Sequence, residues 1–206
     1  MRLGGNRREL TDYDFDRMRI PERYRGVVYG EIQESCEKVL RGYASSMSEF
    51  VSKGAGLLLW GPNGSGKTSA AVVIGKEMRR RGLTVLFLSH SEVKEAVIRQ
   101  VVFDESQSLW DRAESVDVLI LDDLGKSVED STGFGARVLD NLLRKRNSDK
   151  LISIVTTNMP PKKLPELLKA STLHSLKESV VPMRFVGADL RESTKNELTA
   201  LVGGDE

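Results

Sequence analysis

The run Gly61-Pro62-Asn63-Gly64-Ser65-Gly66-Lys67-Thr68 places three glycines, a lysine and two hydroxyls within eight positions. Phosphate oxygens need several donors at close range, and a glycine-rich backbone turns tightly enough to aim successive N–H groups inward. The pattern G-x-x-x-x-G-K-[ST] is met in full, with an apolar run before it and a helical pattern after it. Lys67 is placed to reach β- and γ-phosphates and the Thr68 hydroxyl to serve Mg²⁺. The predicted nucleotide contacts are Gly61, Pro62, Asn63, Gly64, Ser65, Gly66, Lys67, Thr68 and Ser69, and the predicted ligands are a nucleoside triphosphate and Mg²⁺.

About 55 residues later, Val118-Leu119-Ile120-Leu121 runs into Asp122-Asp123. A carboxylate at the C-terminal end of a parallel strand points into the crevice where nucleotides bind. Asp122 is expected to hold Mg²⁺, together with Thr68, and Asp123 to polarise the attacking water. A third apolar run, Ile154-Val155, ends in Thr156-Thr157-Asn158. Placed between the other two strands, it would bring Asn158 near the γ-phosphate; taken alone, Thr-Thr-Asn before Pro160-Pro161 reads as the start of a loop.

Positioning these groups requires a sheet. Leu57–Trp60, Thr84–Leu88, Asp117–Leu121, Ile152–Thr156 and Met183–Val186 read as strands. Lys67–Arg81, a segment from near Ser91, Phe134–Arg146 and Pro161–Ala170 read as helices, the first ended by Gly82. Strands alternating with helices imply βαβ units and a parallel sheet covered on both faces. Upstream, Ile32, Cys36, Val39, Leu40, Tyr43 and Met47 recur at helical spacing, so one amphipathic helix is expected from about Glu31 to Phe50. Residues 1–25 read as an arm, with Pro21 as a breaker.

A chain of 206 residues suits one domain with a short appendage, at roughly 150 residues per domain. Thirty-one basic against thirty acidic residues leave a net charge of +1, which argues against bulk cationic attraction as the mode of action. One cysteine excludes an internal disulfide, and with two histidines it makes a zinc centre an unsuitable reading. No apolar run approaches the ~18 residues that span a bilayer. A cytoplasmic protein without a membrane partner is the expectation.

The glycine loop, Leu121-Asp122-Asp123-Leu124-Gly125 and Thr156-Thr157-Asn158 together resemble the DnaC/IstB-like branch of the AAA+ ATPases, the bacterial and phage helicase loaders. Ile20-Pro21-Glu22-Arg23-Tyr24-Arg25 resembles the leading segment of that family, and Gly187-Ala188-Asp189-Leu190-Arg191 its closing motif. The resemblance covers residues 20–191. It implies an α/β P-loop fold of AAA+ (ASCE) type, with a five-stranded parallel sheet flanked by helices and no separate helical lid. It divides the chain into the arm (1–25), the amphipathic helix leading into the core (26–56), the ATPase core (57–195) and a flexible tail (196–206). It also implies that the nucleoside triphosphate is ATP, that Asn158 senses the γ-phosphate and positions water, that Arg191 is a second sensor, and that Tyr24 lies beside adenine. The implied function is that of an ATPase loading a replicative hexameric helicase, as an ATP-dependent homo-oligomer on single-stranded DNA. An IstB-like transposition regulator and an ATP-gated adaptor with little turnover are the alternatives.

One departure concerns the arginine that this family offers to a neighbour's γ-phosphate. The matching segment reads Ser171-Thr172-Leu173-His174-Ser175-Leu176-Lys177-Glu178, with Thr172 in the arginine's place. Arg144, Arg146 and Lys177 are the candidate substitutes. The runs Arg79-Arg80-Arg81 and Arg144-Lys145-Arg146 each end a helix, where cations suit the dipole and could also meet nucleic-acid phosphates. Trp60 and Cys36 read as core, and His90 as a polar loop residue.

Overall fold

The computed structural model describes residues 8–103, 109–125, 133–166 and 168–186. Five strands, β1 (Gly56–Trp60), β2 (Val85–Ser89), β3 (Val118–Leu124), β4 (Ile152–Thr157) and β5 (Val180–Arg184), form one sheet in the order β2-β3-β4-β1-β5. Every pairing is parallel. The expected α/β class and five-stranded parallel sheet are therefore observed. Nine α-helices are described: α1 (Asp12–Met18), α2 (Glu22–Arg25), α3 (Glu34–Ser45), α4 (Met47–Lys53), α5 (Lys67–Arg80), α6 (His90–Phe103), α7 (Leu109–Ser115), α8 (Phe134–Ser148) and α9 (Ala170–Ser179).

The alternation of strand side chains divides the core in two. Leu57, Leu59, Val85, Phe87, Ile120 and Ile154 pack with α3, α4 and α5 on one face. Leu58, Leu86, Leu88, Leu119, Leu121 and Val155 pack with α6, α8 and α9 on the other. Near-continuous apolar strands are what a sheet buried on both sides requires.

Several boundaries differ from expectation for identifiable reasons. The single helix over residues 31–50 is two helices, α3 and α4, meeting at Ser46, whose φ of −96° and ψ of 18° leave the helical region. Ser45 there hydrogen-bonds the Gly42 carbonyl, the local competition by which serine weakens helices. Val39, expected on the apolar face, is exposed. The helix over 161–170 is a 3-10 segment, Pro161–Glu166, containing Pro165, which has no N–H for an i→i−4 bond. It is followed by α9, which, like α7, lies outside the helices that the sequence pattern predicts. The last strand lies at 180–184 rather than 183–186. It is a sheet edge carrying Pro182, a placement that keeps the missing N–H out of the interior.

The segment preceding the sheet is folded onto it. Met18 and Ile20 are each 1% exposed within the α5-side core. Pro21 caps α2, consistent with a breaker before it. The tail at 196–206 and the closing motif at 187–191 lie outside the described residues. No helix among the described residues is long and apolar enough to cross a membrane.

Candidate functional site

β1 delivers the glycine loop to the C-terminal edge of the sheet. Gly61, Gly64 and Gly66 have φ of 151°, 70° and 87°, conformations L-residues with side chains rarely adopt. A side chain at Gly61 would also run into the Phe185 carbonyl, whose own N–H donates to Trp60 at 2.7 Å. Lys67 and Thr68 open α5, so the positive end of a 14-residue helix faces the loop. The Lys67 ammonium donates to the Pro62 carbonyl at 2.6 Å and lies 3.5 Å from Ser65 Oγ, folded across the loop. Pro62 and Asn63 are exposed, Ser65 is buried, and Ser69 is half-buried on the first turn of α5.

The two aspartates sit where β3 and β4 lose register, between Leu121 and Leu124. Bulges of this kind re-aim side chains beside functional sites. Asp123 has φ of 57°, a left-handed conformation that aspartate tolerates better than most residues. Asp122, 7% exposed, accepts from the Thr68 hydroxyl at 2.9 Å and from the Thr156 hydroxyl at 2.6 Å, both on Oδ1. The glycine loop, the paired acids of β3 and the end of β4 thus meet at one carboxylate. Hard oxygen donors this close suit Mg²⁺, which takes few protein ligands and keeps much of its water.

β4 lies between β1 and β3, as the placement of Asn158 requires. Asn158 follows it directly and is half-buried. Thr157 anchors that turn, donating to the Leu124 carbonyl at 2.7 Å and accepting from the Met159 N–H at 3.1 Å. Thr156 is wholly buried and carries no role in the sequence reading. Its signal is positional only: a hydroxyl two residues before the strand-terminal asparagine.

Other expected residues fall further out. Tyr24 is half-buried against the α5-side core, with the Arg23 guanidinium 4.6 Å from its ring centroid. Arg191 lies outside the described residues. Trp60 is only half-buried rather than core, with the Arg184 guanidinium 5.3 Å from its ring centroid. Cys36 is packed, as expected. His90 is 5% exposed at the start of α6, a correction to its reading as a loop residue, and burial and nearby Lys94 hold its imidazole below the usual range.

The cationic candidates separate sharply. Arg146 is wholly buried and donates to the Ala113, Val116 and Ile152 carbonyls and to Ser153 Oγ, so it cannot serve a neighbouring subunit. Thr172 is also wholly buried; its hydroxyl donates to Asp140 Oδ1 at 2.7 Å, as does that of Ser171. Arg144 and Lys177 are exposed. Arg79 pairs with Asp14, and Arg80 and Arg81 with Glu77, so this run binds its own protein rather than standing free.

Comparison with known proteins shows the family and the fold. The pattern of the ATPase family associated with various cellular activities (AAA) matches residues 57–177. An insertion sequence ATP-binding protein of Sinorhizobium fredii is 34% identical over 113 residues, covering 54% of this chain and 36% of that protein. The chain thus spans about a third of the length of that relative. The replicative helicase loader DnaC of Escherichia coli is 24% identical over 169 residues, 79% of this chain and 68% of that protein. Among solved structures, the DnaC helicase loader superposes with a TM-score of 0.71 at 18% identity, covering 81% of this chain and all of that one. DnaI superposes with a TM-score of 0.69 at 20% identity, covering 82% and 96% respectively. The resemblance to the DnaC/IstB-like branch is borne out by these relatives, and the chain belongs to the AAA family of ATPases.

Proposed function

We propose that this ATPase is a replicative-helicase loader that binds Mg·ATP and assembles on single-stranded DNA. The observation that carries the reading is the meeting of glycine loop, paired aspartates and Thr-Thr-Asn strand at Asp122 in a chain similar to DnaC along most of its length.

In this reading Lys67 and the backbone N–H groups of residues 61–69, all but Pro62, bind the phosphates. Thr68 and Asp122 hold Mg²⁺, which supplies charge neutralisation of the phosphate oxygens when bound. Asp123 polarises the attacking water, Asn158 orients it, and Tyr24 and Arg191 flank the nucleotide. With Thr172 buried, completing the site falls to an exposed cation of a neighbouring protomer, Arg144 or Lys177. The homo-oligomer is therefore part of the proposal, as is a cytoplasmic setting.

The test is capture of a nucleotide-trapped Asp123→Asn protein from its native host, with binding to single- and double-stranded DNA measured in parallel. Recovery of a hexameric helicase and preference for single strands are expected. The insertion-sequence relative favours a second reading, ATPase regulation of transposition; recovery of a transposase with duplex preference would support that instead.

A further inference from the structure

We infer that Thr156 is a positioning residue that sets the geometry of both acidic residues at once. Its side chain is wholly buried on β4. Its hydroxyl has one proton to give, and Asp122 Oδ1 takes it at 2.6 Å. Its oxygen in turn accepts the backbone N–H of Asp123 at 3.0 Å. That N–H belongs to a residue at φ of 57°, inside the register shift between β3 and β4, where the regular ladder is interrupted. A partly buried N–H displaced from its ladder needs another acceptor, and Thr156 supplies it. One hydroxyl therefore aims the Asp122 carboxylate at Thr68 and holds the backbone from which the Asp123 side chain projects.

Three further details support a role beyond packing. A valine would fill the same space, yet the position holds the isostere whose hydroxyl can both donate and accept. Asp122 Oδ1 takes its second hydrogen bond from Thr68, on the glycine-loop helix, so Thr156 links β4 to that helix through a single oxygen. Asn158 follows two residues later, so a movement of β4 that alters Asn158 also alters the Thr156 bonds. Thr156 thereby couples the strand carrying Asn158 to the metal and water residues. The inference rests on the assignment of Asp122 to the metal and Asp123 to the water.

The test compares Thr156→Val, Thr156→Ser and Asp122→Asn with the unmodified protein, each checked for folding by circular dichroism. A fluorescent ATP analogue is titrated in EDTA and then in rising Mg²⁺, and turnover is measured at saturating metal. Removing a group behind a metal ligand costs about 10- to 100-fold in metal affinity or activity. Thr156→Val should shift the Mg²⁺ midpoint upward by that factor and lower turnover, with binding in EDTA unchanged. Thr156→Ser, which keeps the hydroxyl, should match the unmodified protein even if the valine variant fails to fold. A serine variant as impaired as valine, or a folded valine variant with unchanged Mg²⁺ response beside a defective Asp122→Asn protein, overturns the role of Thr156. An unchanged response in Asp122→Asn overturns the metal assignment itself.

Discussion

Arg79 on α5 grips Asp14 on α1, with Nε and Nη2 donating to the same carboxylate oxygen at 3.0 and 2.9 Å. Asp14 is 1% exposed and is also held by Arg8 and by the Thr11 backbone and hydroxyl. One turn earlier on α5, Lys76 donates to the Arg25 and Val27 carbonyls at 2.6 and 2.7 Å. The helix that begins with Lys67 and Thr68 thus ends by fastening the N-terminal segment. Apolar burial of Met18 and Ile20 and these polar bonds together bind the segment.

This pair sets the first prediction. Burial works against ionisation of Asp14, but Arg8, Thr11 and Arg79 outweigh it and hold the carboxyl well below the usual carboxylate range. A lowered folded pKa means stability that is complete above the unfolded value, 3.8, and lost as pH falls below it. Asp14→Asn should cost about 3 kcal/mol at neutral pH, the lower end for breaking a buried charge pair. That is roughly 6–12 °C in melting temperature for a chain of this size. The gap between variant and parent should narrow as pH drops below about 4. A pH-independent difference would show that charge is not the cause.

Arg146 gives a second prediction. Burial pushes its pKa down and Asp117 and Asp149 push it up, but its carbonyl acceptors are what fix it in place. Arg146→Ala leaves buried carbonyls unsatisfied, each worth about 1–3 kcal/mol, so thermal unfolding should show a large loss. Arg144→Ala, two residues away on the exposed face, should melt like the parent.

The contrast marks how far a sequence carries. The glycine loop, the Asp122-Asp123 pair and the Thr-Thr-Asn strand were legible because each is a short contiguous run whose chemistry depends on local order. Arg146 and Arg144 were indistinguishable in Arg-Lys-Arg, since only the approach of α7 and β4 decides which one is enclosed. α1 was missed because its alternating acids and aromatics carry no apolar stripe; tertiary partners such as Arg79 stabilise it. The Thr156 link depends on a register shift, which no pattern within either strand announces.

A third prediction concerns Lys67. It is the side-chain cation on the loop, already folded across it to Pro62. Lys67→Ala should reduce ATP affinity severely, while circular dichroism shows the fold retained. Unchanged affinity in a nucleotide titration would remove the loop from the proposed site.

The paired acids should separate in function. Asp123→Asn should leave Mg·ATP bound, because Asp122 keeps Thr68 and Thr156 as partners. Turnover should fall by at least ~10², the scale of lost general-base help. Retained single-turnover hydrolysis in Asp123→Asn would assign the water to another group.

The last prediction concerns completion of the site between protomers. An arginine supplied from outside is worth about 10³ to 10⁵ in rate in P-loop enzymes. Thr172, at the position expected to provide it, is enclosed and bonded to Asp140, and Arg146 is enclosed as well. Arg144 is exposed and lies 3.8 Å from the buried Asp140 carboxylate, which the Ser171 and Thr172 hydroxyls go on holding if Arg144 turns away. Lys177 is exposed on α9. Isolated protomers should therefore turn ATP over very slowly, with specific activity rising with protein concentration or on adding single-stranded DNA. Arg144→Glu or Lys177→Glu, whichever is the donor, should abolish that rise with ATP binding intact. Mixing that variant with Lys67→Ala should restore part of the activity, since each protein supplies what the other lacks. Turnover per protomer that stays flat across concentration, with and without DNA, would exclude a shared site and leave nucleotide binding, rather than hydrolysis, as the working step.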